Sequence, residues 1–134
     1  MPHINYLAAI AAGVVGFFPG ALWYSPLMFL RRWAQELGID IEKAPEAGSH
    51  IPKILFGLAA SIVMAITFAL IAGPAPTLHP TLHLALACAG LITGAYAIQY
   101  QFEDRSLAFW AINTSYHLVQ FLLFALVLGL WPWP

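Results

Sequence analysis

Charge is what this chain has least of. Only 8% of its 134 residues are Asp, Glu, Lys or Arg, the formal net charge is −1, and 61% of the residues are hydrophobic. Soluble domains carry about a quarter charged residues, so this composition selects the membrane class. A net charge so close to zero provides no field to attract nucleic acid, and no nucleic-acid partner is expected. Cysteine is nearly absent as well. Cys88 alone, inside an apolar run, excludes an internal disulfide and a thiolate metal cluster within one chain. The start, Met1-Pro2-His3-Ile4-Asn5-Tyr6, lacks the basic residues of a secretory signal, and the apolar run after it is too long for one. It is expected to be a retained membrane span.

Acidic residues are missing from every apolar run, which removes buried carboxylates as proton carriers. No His-Glu-x-x-His motif, phosphate-binding glycine loop or Gly-x-Ser-x-Gly elbow is present. An enzyme is therefore the least favoured class, with no catalytic residues and no cofactor expected.

What is present is a set of long apolar runs. Residues 4–30, 54–73, 81–102 and 107–130 are expected as membrane helices, since at ~1.5 Å rise per residue each approaches or exceeds a ~30 Å hydrocarbon core. The fold class expected is all-α: a single four-helix transmembrane domain over residues 1–134, packed as a bundle. Between the first two spans, residues 31–53 mix charge with Trp33, Leu37, Ile39 and Ile41. A short interfacial helix ending near Gly38, then a loop, fits this amphipathic connection. The stretch Pro74 to Pro80 is short and uncharged, so the second and third helices are expected to form a tight antiparallel hairpin. The terminal Trp131-Pro132-Trp133-Pro134 suits the headgroup region.

All five Lys and Arg fall on the first and third connections: Arg31, Arg32, Lys43, Lys53 and Arg105. The positive-inside rule then places 31–53 and 103–106 in the cytoplasm and both termini outside.

Within the first span, Pro19 and Pro26 deprive carbonyls near Val15 and Leu22 of their helical donors. In hydrocarbon those groups need protein partners, so the face with Trp23, Tyr24 and Ser25 is expected to meet another helix. Gly57, Ser61, Ala65, Ala69 and Gly73 recur every fourth residue and share one helix face, as do Gly16 with Gly20 and Gly90 with Gly94. Small residues in that register allow close helix packing, within the chain, with a second copy or with another membrane protein.

Asn113, Tyr116, His117 and Gln120 lie at i, i+3, i+4 and i+7 and form a polar stripe reaching the bilayer midplane. Tyr96, Gln99 and Tyr100 on the third helix share its level, as do Trp23, Tyr24 and Ser25 on the first. These residues are expected to line a polar, aromatic pocket in the cytoplasmic half that binds or transports a small molecule or lipid-soluble ligand. The alternative is that they fasten helices together in a non-enzymatic accessory or assembly component. His79 and His83 stand at a metal-ligand spacing, but a site needs three or four ligands, and His3 is the only third histidine on that side.

The run Gly20-Ala21-Leu22-Trp23-Tyr24-Ser25-Pro26-Leu27, with Trp33 after it, resembles the signature of the domain-of-unknown-function 1761 family, small and mainly bacterial integral membrane proteins. Phe102-Glu103-Asp104-Arg105-Ser106-Leu107, followed by Asn113 and Tyr116-His117-Leu118-Val119, is similar to that family's second block. The resemblance implies a four-helix protein of a bacterial inner membrane. It implies no activity and no site residues.

Overall fold

The computed structural model describes residues 3–43, 48 and 50–133. Part of the loop expected after Gly38, at 44–47 and 49, and the terminal Pro134 lie outside the described residues. Among the described residues every regular element is an α-helix: α1 (Tyr6–Phe17), α2 (Pro19–Trp23), α3 (Leu30–Leu37), α4 (Ile51–Ala72), α5 (Leu78–Phe102) and α6 (Leu107–Gly129). Four spans, Tyr6–Trp23, Ile51–Ala72, Leu78–Phe102 and Leu107–Gly129, are long and apolar enough to cross a membrane. The molecule has the character of a polytopic membrane protein.

The first span is shorter than expected and broken. Pro19 cannot donate to Val15, and at this joint Ala21 N–H turns to Phe18 O at 3.0 Å instead of Phe17 O. The helix ends at Trp23 rather than Leu30, because Pro26 cannot donate to Leu22 O. Ser25 supplies both replacements, its N–H at 3.1 Å and its hydroxyl at 2.6 Å from Leu22 O. Met28 and Leu30 N–H then close the turn on Ser25 O. The interfacial helix follows as α3, and Gly38 terminates it in the left-handed region at φ 69°, donating back to Gln35 O.

The expected pairing of the second and third spans is also corrected. α4 packs on α1 and α5 packs on α6, while α1 and α6 meet along the middle. α4 and α5 touch only sparsely despite their short connection. The reason lies in side-chain size. Ser61, Ala65 and Ala69 turn their small face to α1, whose buried residues are likewise small: Ala8, Ala9, Ala12, Gly13 and, turned to α6, Gly16. A Cβ on Gly13 would stand 2.6 Å from Ile62 Cα, so the two backbones are as close as they can come. Between α4 and α5, Phe68 and Phe121 hold the helices apart and a 330 Å³ cleft remains. Gly57 completes the α4 face against the Phe17 ring, whereas a Cβ on Gly73 would meet nothing; its role is the turn, at φ 83°.

The two ends of the bundle are fastened differently. At the end carrying all the basic residues, Glu36 of α3 accepts from the Ser106 hydroxyl at 2.6 Å and pairs with Arg32 at 2.9 Å, and its carbonyl accepts from Arg105 at 3.1 Å. The first and third connections therefore share one end. At the other, Trp133 donates to Pro76 O at 3.1 Å and Thr81 to Ala125 O at 3.1 Å.

Candidate functional site

α6 is the most enclosed of the spans, and its polar stripe points inward as its spacing requires. Asn113 and Gln120 are 8% and 2% exposed. Tyr24 donates to Asn113 Oδ1 at 2.7 Å, and Asn113 Nδ2 donates to the Tyr100 hydroxyl at 3.2 Å. One amide thus ties the end of the first span to α5 through α6. A turn deeper, the Tyr96 hydroxyl lies 3.3 Å from His117 Nε2 and His117 Nδ1 lies 2.8 Å from Gln120 Oε1. Gln120 Nε2 donates to the Ser61 hydroxyl at 2.9 Å, which donates to Gly13 O at 2.7 Å. That relay crosses all four spans. If Gln120 accepts at Oε1, His117 carries its proton on Nδ1 and its Nε2 is the acceptor for Tyr96.

Aromatic rings join the two sets. Tyr96 and Tyr100 stack at 5.1 Å, and Tyr24 meets Tyr116 edge-on at 5.7 Å and Trp33 at 5.6 Å. Trp23 donates to Ile112 O at 3.0 Å. The Tyr116 hydroxyl approaches Phe17 O at 3.4 Å, the carbonyl that Ala21 abandons at the Pro19 joint. A break in one helix is thereby covered by a side chain of another, as hydrocarbon requires.

Two candidates stay apart from this assembly. Ser25 bonds within its own turn, and Gln99 is exposed with its amide on Glu103 at 2.9 Å. Gly16 and Gly20 are pressed against Phe124 and Tyr116, whereas Gly90 and Gly94, expected at a packed face, have nothing within 4 Å of a built Cβ. Their face of α5 is open because α6 takes the neighbouring face. His79 and His83 lie with their rings 4.4 Å apart and tilted at 53° near the surface, and His83 Nδ1 is engaged with His79 O at 2.9 Å. No group of three or more His, Cys, Asp or Glu forms a cluster among the described residues.

The polar groups point at one another rather than into a common space. The space lies beside them. A 450 Å³ cavity opens where the first span breaks, between the α1–α2 joint and the start of α4. Phe17, Phe18, Gly20, Ala21 and Ile54 wall it together with the rings of Tyr24 and Tyr116. Of the expected ligand residues only these two tyrosines reach it, and both hydroxyls are already directed to protein acceptors. Phe18, Ala21 and Ile54 escaped sequence reasoning, although Pro19 was the signal that a wedge opens there.

A protein-family model described as "Protein of unknown function (DUF1761)" matches residues 7–129. No curated protein and no solved structure matches the chain.

Proposed function

We propose, for a chain that belongs to the DUF1761 family of proteins of unknown function, a role as a membrane-embedded binding protein for an apolar, lipid-soluble molecule. The observation that carries this reading is the 450 Å³ cavity at the broken first span, a volume in the range of small-molecule sites. Its walls are aromatic and aliphatic, so recognition there rests on shape and apolar contact. The hydrogen-bonded groups behind it keep Tyr24 and Tyr116 in fixed positions, which is preorganisation rather than direct polar recognition. In this reading the basic end faces the cytoplasm of a bacterial inner membrane, and both termini lie outside.

Ala21 borders the cavity and is exposed, so Ala21→Trp fills the space without displacing the core. Native mass spectrometry of gently extracted protein tests the proposal. The wild type should carry a reproducible small-molecule increment that Ala21→Trp lacks, at unchanged thermal stability. An increment of equal occupancy in both would overturn the reading.

The accessory alternative loses its first surface, because the Ser61, Ala65 and Ala69 face is taken up by α1. What remains open to it is the Gly90 and Gly94 side of α5.

A further inference from the structure

His79 and His83 stand apart from the hydrogen-bonded assembly, at the start of α5, and their spacing suits a shared ion. His83 Nδ1 lies 2.9 Å from His79 O, and a carbonyl only accepts, so Nδ1 carries the proton and Nε2 the lone pair. Holding a ring through its other nitrogen on a backbone carbonyl is how metal-binding histidines are oriented. His79 is exposed one turn earlier, its ring centre 4.4 Å from that of His83. Two imidazoles on one ion, each bonded at about 2.0–2.1 Å, hold their ring centres roughly 4.5–5 Å apart. The backbone need not move. What one chain lacks is further ligands, since no third His, Cys, Asp or Glu joins the pair among the described residues. A zinc-like ion takes three or four from protein.

The face of α5 that carries the pair continues along the open side of the bundle. His79, His83, Leu86, Gly90, Gly94 and Ala97 lie at i, i+4, i+7, i+11, i+15 and i+18, and so share one face. The first five are exposed, and a Cβ on Gly90 or Gly94 would meet nothing within 4 Å. Small residues of this kind admit a second helix at close range, and the ~40° crossing they favour reopens the gap toward the helix ends, where imidazoles and an ion need room. In a membrane, a two-fold axis along the bilayer normal sets identical residues at identical depth. A copy packed on Gly90 and Gly94 therefore brings its own histidine pair to the level of the first.

We propose that two copies of this chain pack α5 against α5 and hold one divalent transition ion between the His79 and His83 side chains of both. Two pairs make four imidazoles, the ligand type that suits zinc, copper and nickel, and four fill a tetrahedral site. A single chain grips the ion by two bonds only. The site is independent of the first-span cavity, none of whose walls lies on α5.

The test takes the full chain without an affinity tag, strips it with a chelator in mild detergent, adds zinc alone, and follows mass and self-association by native mass spectrometry. One zinc per two chains is expected, and zinc should tighten self-association at least tenfold. His79→Ala and His83→Ala, both at exposed positions, should each weaken zinc retention at least tenfold at unchanged thermal stability of the metal-free chain. Gly90→Leu puts a branched side chain on the contact face and outside the chain's own packing, so it should give folded monomers that hold zinc as weakly. Ala21→Trp should change neither reading. One zinc per single chain overturns the inference, because the pair then needs no second copy. So does full zinc retention by the double variant His79→Ala with His83→Ala, which places the ion elsewhere. A dimer whose association is the same with and without zinc overturns it too.

Discussion

The half of the bundle near the basic end and the half near the termini are joined by different physics. Near the termini the interior is Ala8, Ala12, Ala65, Ala69, Phe68, Phe124, Ala125 and Leu128, with Thr81 the buried polar exception. Near the basic end it is Tyr24, Asn113, Tyr100, Tyr116, His117 and Gln120, each engaged with a partner on another element or on its own helix. In hydrocarbon, apolar side chains gain little by leaving lipid for protein, so the first half depends on how closely backbones approach. The second half begins where the first span breaks and the helix exposes its own polar groups. Hydrogen bonds are then required. The contrast teaches that the proline joint dictates where the polar residues stand.

Breaking the close-packed half should have the largest effect. Gly13→Leu places a branched side chain where even a Cβ would meet Ile62 Cα at 2.6 Å, backbone that cannot rotate away. About 3 kcal/mol of destabilisation is expected, the upper range for overpacking. Unfolding in a denaturing detergent titration measures it, and a midpoint unchanged from wild type would show that α1 and α4 are not held by proximity.

A middle-sized effect is expected where the two halves meet. Gln120→Leu leaves the Ser61 hydroxyl without its donor and His117 Nδ1 without its partner, inside a region only 2% exposed at this residue. The cost should be about 1–2 kcal/mol, since groups buried in a membrane bundle find partial replacements. Ser61→Ala in the Gln120→Leu background should add little, because the bond between them is already gone. Full additivity in that cycle would mean the two side chains act separately.

The apolar half was readable from spacing alone. Small residues every fourth position on α4 named the buried face, and the structure buries Ser61, Ala65 and Ala69. Spacing did not name the partner helix. Loop length pointed to α5, but the glycine and alanine face of α1 accepts α4 more closely than a surface held off by Phe68 and Phe121. Gly90 and Gly94 show the same limit, since a small-residue face can also stay open. The end of the first span is not legible in hydropathy for a related reason: hydropathy counts side chains, whereas Pro26 and Ser25 end the helix through backbone hydrogen bonding at Leu22 O. The polar stripe of α6 was legible as a face. Its partners were partly so, because common depth brings Tyr24, Tyr96 and Tyr100 to it but leaves Ser25 and Gln99 outside.

The smallest predicted effect sharpens the comparison most. Tyr24→Phe removes the 2.7 Å bond to Asn113 and nothing else, for the ring keeps its place against Trp33 and Tyr116. Asn113 retains the Tyr100 hydroxyl through Nδ2, so only one of its two amide ends loses a partner. About 0.6 kcal/mol is expected, the average for a hydrogen bond inside a membrane bundle. Asn113→Leu, which strips both tyrosines of their partner at once, should cost more than twice as much in the same titration. If Tyr24→Phe alone matches Asn113→Leu, the tyrosine bond is the whole of what Asn113 contributes, and Trp23 on Ile112 O and the Tyr116 hydroxyl on Phe17 O are the remaining ties between the broken span and α6. If it costs nothing, the rings suffice, and the basic half would be packed by the same rule as the half near the termini.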